Sequence, residues 1–174
     1  AVRGHHTGSR RAVRPGLFCG LVLLLTGLVS GGAAQAPVRM FDFGTATSPV
    51  QPCWIGVDAG MAYEKARGYG WGQHGPLRDT DKKQANDLER DFCLGYGGKS
   101  DLAAHFLVDL PDGPYTAVFF AGDIQYSRSE MPMDILVGGQ VLVEAWRVSK
   151  WDCRAASCTV SGGQADFVFR SSHT

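Results

Sequence analysis

The chain has 174 residues, with 17 basic and 17 acidic side chains, and 44% of its residues are hydrophobic. This size supports one domain with a packed core and leaves too little sequence for two. The even charge balance excludes the strongly basic surface that nucleic acid or an anionic membrane would require, so neither is a predicted partner.

Residues 1–34 are predicted to be a cleavable signal segment. A basic start without acidic residues precedes an apolar run over residues 17–29, and small residues follow up to Ala34. The apolar run is shorter than the ~20 residues that a membrane-spanning helix needs, so we predict no membrane span. Residues 9–14 leave a Sec-type and a twin-arginine signal both open, and either one predicts a secreted or periplasmic protein.

Alternating, turn-bounded segments predict β-strands along most of the mature domain, residues 37–174. The strand-like segments are residues 39–43, 102–110, 115–121, 134–137, 140–146 and 165–170. Residues 81–92 are polar, with Leu88 and Phe92 four positions apart, and they fit either one or two helical turns or an ordered loop.

Two hairpins are predicted from turn sequences. The Pro-Asp-Gly sequence of residues 111–113 predicts a hairpin over residues 102–121, and the Gly-Gly pair at 138–139 predicts a second one over 134–146. Short strands separated by glycine-rich turns favour an all-β fold, specifically a jelly-roll-like antiparallel β-sandwich.

The first predicted strand alternates apolar and polar side chains. Phe41 and Phe43 are expected on its inner face and Asp42 on the opposite one, because successive residues of a strand point to opposite sides. Asp42 could cap a turn, bind calcium or remain solvated.

Four cysteines remain once the signal segment is removed: Cys53, Cys93, Cys153 and Cys158. An even number in an exported chain permits two disulfides, in three possible pairings. The short spacing of Cys153 and Cys158 favours a bridge at a hairpin end, which leaves Cys53 to pair with Cys93. Buried thiols without bridges are the alternative.

Aromatic residues in glycine-rich sequence are the first candidates for ligand binding. Tyr63, Tyr69 and Trp71 could present rings on loops, where they would stack on the flat face of a sugar. The alternative for Trp71 is a place in the core, with neighbouring glycines allowing a close crossing of backbone. Trp146 and Trp151 lie near a strand end, and we expect at least one of these rings to be exposed.

Charged and polar residues near the rings are further candidates. Arg78 and Asp79 could orient sugar hydroxyls or a uronate carboxylate, and Asp123 and Tyr126 lie in a segment that resembles a rim loop. The simpler interpretation of the Arg-Asp sequences at 78–79 and 90–91 is a pair of local surface ion pairs, which contribute about 0–1 kcal/mol each.

Structural calcium is the one cofactor that the sequence leaves open, as a minority alternative to no cofactor. The acidic residues that could hold it are scattered and form no dense ligand loop: Asp42, Asp58, Asp109, Asp112 and Asp166. The sequence contains no Gly-x-Ser-x-Gly elbow and no histidine partner pattern, so we predict no catalytic residue.

Several motifs occur together in a fixed order. They include Phe-Asp-Phe-Gly at 41–44, Gly-Tyr-Gly-Trp at 68–71 and Phe-x-Val-Asp-Leu-Pro-Asp-Gly-x-Tyr at 106–115. This set resembles the galactose-binding-like (malectin-like) β-sandwich that precedes the catalytic domain in agarases, rhamnogalacturonan acetylesterase-type esterases and some polysaccharide lyases. The resemblance covers about residues 39–170.

The resemblance implies a noncatalytic carbohydrate-binding module of a secreted polysaccharide-degrading enzyme. Its implied partners are a pectin- or galactan-like poly- or oligosaccharide and a C-terminal catalytic domain. The alternative is the N-terminal fragment of an esterase or lyase in which the module mainly packs against its neighbour. The Gly-Asp-Ser nucleophile motif of the esterase domain does not occur in this chain, and the closing strand after Phe169 is short.

Overall fold

The computed structural model describes residues 38–95, 103–123, 125, 132–148 and 150–171. These residues form strands and turns without any helix, which confirms the all-β prediction. The strands are β1 (Phe41–Phe43), β2 (Ile55–Val57), β3 (Tyr69–Trp71), β4 (Leu77–Asp81), β5 (Asp91–Gly95), β6 (Ala104–Asp109), β7 (Gly113–Gly122), β8 (Met133–Val137), β9 (Gln140–Trp146), β10 (Trp151–Val160) and β11 (Gln164–Ser171). Within this described part of the chain, no helix could span a bilayer. The predicted signal segment, residues 1–34, lies outside the described residues.

The strands form one larger sheet and three pairs. The larger sheet has five antiparallel strands in the order β3-β6-β11-β8-β9. The pairs β4–β5 and β7–β10 are antiparallel, whereas β1 and β2 run parallel. The expectation of a wholly antiparallel arrangement is therefore wrong for the first pair.

The core lies between the five-stranded sheet and the strand pairs. Every second residue of β6, β7 and β11 is buried, as the period-two geometry of a strand requires. The Phe119 ring of β7 meets the Phe167 ring of β11 with centroids 6.1 Å apart, so the inward faces of these strands touch. Burying one such phenylalanine contributes about 1.5–3 kcal/mol. This two-layer contact fits a β-sandwich.

The predicted hairpin over residues 134–146 is confirmed. Strands β8 and β9 pair antiparallel on either side of Gly138 and Gly139. These glycines have φ angles of 56° and 82°, the left-handed conformation that tight hairpin turns require.

The predicted hairpin over residues 102–121 is wrong. Strand β6 pairs with β3 and β11, and β7 pairs with β10, so the turn at 111–113 carries the chain from one sheet to another pair. Tyr115 holds this corner by donating its hydroxyl to the Pro111 carbonyl at 2.7 Å, and Asp112 accepts the Gly163 N–H at 2.7 Å. A turn sequence predicts a change of direction, but it does not determine the partner strand.

The segment predicted as either helical turns or a loop, residues 81–92, contains no helix and forms an ordered loop between two strands. Strand β4 ends at Asp81 and β5 begins at Asp91, with the Lys82 N–H donating to the Arg90 carbonyl at 2.6 Å. Arg90 forms its ion pair with Asp81, at 2.7 Å, across this loop. The expected local pair between Arg90 and Asp91 is replaced by this contact, and Phe92 is a core residue of β5.

Candidate functional site

Trp71 belongs to the core. It is 5% exposed, and its ring lies 5.3 Å from that of Phe43 and 5.1 Å from that of Phe106. The indole N–H donates to the Asp58 carbonyl at 2.9 Å, so the polar edge of the ring is satisfied as well. Strand parity explains this position, because Trp71 pairs with Phe106 and faces the same side of the sheet. The ring cannot stack on a ligand.

Tyr69 and Tyr63 are half-buried and lie on adjoining backbone. The Tyr69 ring packs 5.1 Å from Phe41, and the Arg67 guanidinium lies 5.3 Å from its centroid. Tyr63 is bound to this strand through the N–H···O bond that it donates to the Trp71 carbonyl, at 2.8 Å. Both tyrosines therefore sit at the margin of the sheet, between core and solvent.

A polar cluster surrounds Asp109 at the end of β6. The Tyr63 hydroxyl donates to this carboxylate at 3.0 Å, Lys65 Nζ lies 2.7 Å from it, and the Gln164 amide donates to it at 2.8 Å. The hydrogen bond from Lys65 is the main reason that the pKa of Asp109 is lowered, with Gln164 and Tyr63 adding to it. We call Tyr63, Lys65, Asp109 and Gln164 the Asp109 cluster.

The glycines of residues 68–71 allow this cluster to form. Gly70 has a φ of 140°, and a Cβ there would lie 2.7 Å from the backbone of Ala62 and Tyr63. Gly68, with a φ of 77°, begins the strand at a point where the chain must turn. The segment that carries Tyr63 and Lys65 can therefore cross directly over β3 and reach Asp109.

Arg67 connects the cluster to the neighbouring turn. Its guanidinium pairs with Glu64 at 2.9 Å and also donates to the carbonyls of Tyr69 and Ala62. These contacts fix a cation beside two partly exposed tyrosine rings. Rings, a carboxylate, a cation and an amide together can stack on a polar ligand and both donate and accept hydrogen bonds.

The remaining predicted ligand residues lie elsewhere. Arg78 is exposed on β4, and Asp79 accepts the Ala59 N–H at 3.1 Å. Asp123 is 2% exposed and lies 3.3 Å from Lys82 Nζ. Tyr126 lies outside the described residues. Of the predicted ligand residues, Tyr63 and Tyr69 therefore lie on adjoining backbone, whereas Asp79 and Asp123 contact other parts of the molecule.

Asp42 and Asp91 form a second polar feature, inside the core. Asp42 is 3% exposed and accepts the Gln51 N–H at 2.7 Å, so it caps a loop and is not solvated. Asp91 is 1% exposed, and burial raises its pKa to about 6, opposed by a hydrogen bond from Ser48. Its carboxylate occupies the space where a side chain on Gly44 would project, since a Cβ there would lie 2.1 Å from Oδ2.

No group of three or more His, Cys, Asp or Glu side chains that could hold a metal ion occurs in the described part of the chain. Structural calcium remains a prediction. Among the described hydrogen bonds, His105 pairs with Asp166 at 2.9 Å, and none joins a serine hydroxyl to a histidine ring.

The four cysteines form no disulfide in this structure. Cys153 and Cys158 lie in one continuous strand, β10, where a separation of five residues spans about 16 Å and reverses the side-chain direction. A disulfide requires Cα atoms within about 7 Å, so this predicted bridge is wrong. Cys53 lies exposed in a turn, whereas the Cys93 thiol is buried next to the carbonyls of Gly44 and Val57, so the second bridge is not formed either.

Sequence reasoning missed Lys65 and Gln164, and it considered Asp109 only as a calcium ligand. Their meeting depends on the pairing of β6 with β11, which aligns Asp109 with Gln164 across 55 residues of sequence. The spacing of residues within one segment contains no signal for such a contact.

Comparisons with known proteins relate the chain to part of an esterase, although no protein-family model matches it. An uncharacterized esterase of Bacillus subtilis (strain 168), YxiM, is 36% identical over 97 residues, which make up 55% of this chain and 24% of that protein. The X-ray crystal structure of the B. subtilis YxiM protein matches with a TM-score of 0.56 and 27% identity, over 74% of this chain and 34% of that one. The chain thus spans a quarter to a third of the relative that it matches.

Proposed function

We propose that this chain is a noncatalytic β-domain of a secreted esterase-type hydrolase. The observation that carries the proposal is its similarity to one part of YxiM, in sequence and in fold. The domain would be a jelly-roll-like sandwich of the galactose-binding type, and it would pack beside a catalytic domain that supplies the Gly-Asp-Ser nucleophile. Its substrates would be esters of polysaccharides.

The proposal predicts that catalysis resides outside residues 1–174. This chain alone should release acetate from p-nitrophenyl acetate no faster than buffer does, and the coding sequence beyond Thr174 should contain a Gly-Asp-Ser segment. Hydrolysis by this chain that disappears on substitution of one of its own residues would contradict a noncatalytic role.

A second candidate function is carbohydrate binding at the Asp109 cluster. It is favoured by the hydrogen bonds that hold Tyr63, Lys65 and Gln164 around one partly exposed carboxylate. Such a shallow site buries little area, so its dissociation constant is expected on the order of 10–1000 μM.

This second function can be tested by NMR titration with oligosaccharides of galactan and pectin. Binding should shift the resonances of Tyr63 and Tyr69, and Asp109→Asn should weaken it. Glu144→Gln, an exposed substitution on β9, is the matched control. Unchanged binding by the Asp109→Asn variant would remove the cluster from consideration.

A further inference from the structure

A second surface with binding chemistry lies on the pair β7–β10. These strands pair over ten residues each, and Tyr115, Ala117 and Phe119 of β7 point into the core. The alternate positions point outward, and none of them is charged. They are Pro114, Thr116, Val118 and Phe120 on β7, and Trp151, Cys153, Ala155, Ser157 and Thr159 on β10. We call these nine residues the ribbon face.

One end of the ribbon face has a stacked pair of rings. Phe120 and Trp151 lie with centroids 6.0 Å apart and planes inclined by 25°, and both are partly exposed. Trp151 also packs against the core, which restricts its rotamers before any ligand arrives. Aromatic surface of restricted mobility binds flat ligand faces at low cost in conformational entropy.

A glycine is the strand partner of Trp151. Trp151 pairs directly with Gly122, where a Cβ would lie 2.2 Å from the Lys150 carbonyl oxygen. Only glycine fits at this close approach, so no side chain of β7 stands opposite Trp151. Gly122 is itself buried, so the exposed ring surface at this end of the face comes from Phe120 and Trp151.

The remainder of the ribbon face offers hydroxyl groups on an even surface. Ala155, Ser157 and Thr159 are exposed along β10, and Thr116 lies across from Ser157. Hydroxyl side chains both donate and accept hydrogen bonds, as the hydroxyls of a sugar do. Without charged residues, the face has no group that would select a uronate.

The dimensions of the face favour a chain-like ligand. Ten residues of strand span about 33 Å, and two strands about 10 Å, so the face covers roughly 300 Å². A stable protein interface buries about 800 Å² on each partner, which is more than this face can supply. A linear polymer lying along the strands fits it better than a globular domain does.

We propose that the ribbon face binds a linear, uncharged glycan, with one sugar ring stacked at Phe120 and Trp151 and the chain running along β10. This proposal extends carbohydrate binding to a surface separate from the Asp109 cluster. It does not depend on the chain being part of an esterase, so the two proposals fail separately.

Binding is tested by NMR titration of the full chain with galactotetraose, a neutral probe, and trigalacturonate, a charged one. Trp151→Ala should weaken galactotetraose binding about tenfold or more, the loss of one stacking contact. Because Trp151 also contacts the core, Ala155→Arg is the second variant, since it places a charge on an exposed position of the face. Glu144→Arg, exposed on β9, controls for a surface charge elsewhere.

The proposal requires that both face variants lose galactotetraose binding, that the control keeps it, and that trigalacturonate binds more weakly. Binding lost with Asp109→Asn but retained in Ala155→Arg would assign the sugar to the Asp109 cluster and overturn the proposal. Absence of binding to galactotetraose would overturn it, and so would self-association, measured by sedimentation, that Ala155→Arg abolishes.

Discussion

Two regions of this molecule are rich in aromatic rings and use them in opposite ways. Within residues 41–71, the rings of Phe43 and Trp71 meet Phe106 inside the core. On the ribbon face, Phe120 and Trp151 stack at the outer side of a strand pair. The difference follows from strand parity and pairing, because a ring is buried when its strand partner faces the core. Glycines beside a ring therefore do not indicate that the ring is exposed.

The largest expected effect is in the buried region. Trp71→Ala removes a ring that contacts Phe43 and Phe106 and leaves a cavity, so it should lower the free energy of unfolding by about 3–5 kcal/mol. Trp151→Ala should cost less, because that ring is partly exposed. Urea unfolding of both variants measures the two losses in the free energy of unfolding. Equal losses for Trp71→Ala and Trp151→Ala would contradict the distinction between a buried and an exposed ring region.

The buried region should also determine how stability depends on pH. The pKa of Asp91 is raised from its ordinary 3.8 to about 6, so the folded state holds this proton more tightly than the unfolded state does. The contribution of Asp91 to the free energy of unfolding should accordingly be highest below pH 4, fall as the pH rises toward 6, and level off above it. Asp91→Asn should reduce this dependence and gain up to about 3 kcal/mol at pH 7.5, leaving the part that comes from Asp42, whose pKa burial also raises.

Thermal unfolding at pH 4.5 and 7.5 measures this difference for the wild type, for Asp91→Asn and for Glu144→Gln as an exposed control. A wild-type protein that becomes more stable between these two values would contradict the assignment to Asp91, provided that the control behaves in the same way.

The Asp109 cluster should show the opposite sign and a smaller effect. The pKa of Asp109 is lowered, mainly by the hydrogen bond from Lys65, so its contribution is present above the ordinary value and is lost as the pH falls below it. Because the Asp109 carboxylate is partly exposed and its partner Lys65 lies largely in solvent, Asp109→Asn should change the free energy of unfolding by no more than about 1 kcal/mol. Acid unfolding of this variant, monitored by tyrosine fluorescence, tests the sign.

The smallest effect is expected for the exposed thiols. Cys153→Ser should alter the free energy of unfolding by less than about 0.5 kcal/mol, because the side chain is exposed and forms no bridge. In the native protein, Cys53 and Cys153 should react with a thiol reagent at once, and Cys93 and Cys158 only after unfolding. Protection of Cys53 or Cys153 in a non-reduced sample would indicate a disulfide after all.

Local patterns were sufficient to predict strands β1, β6, β7, β8, β9 and β11 and the hairpin over residues 134–146, but they did not predict β3, β4, β5 or β10. That hairpin is predictable because Gly138 and Gly139 specify both the turn and the partner. The place of Phe41 and Phe43 in the core follows from alternation alone. All of these features depend on residues that are close together in sequence.

Features that depend on distant partners were not predictable. The corner at 111–113 has the sequence of a hairpin turn, yet its strands join different partners. Asp109 acquires its surroundings only when β11 pairs with β6. Cys153 and Cys158 suggested a bridge because the extended strand between them was expected to be a turn.

Strand β11, the last of the eleven, lies between β6 and β8 in the middle of the five-stranded sheet. Before residues 164–171 have been synthesised, β6 can pair only with β3 and β8 only with β9, so the two halves of the sheet are joined last. Pairings of such long range close large loops and slow folding. This domain should therefore complete its fold only after β11 has been synthesised, and truncation before residue 164 should abolish the fold and not merely trim it.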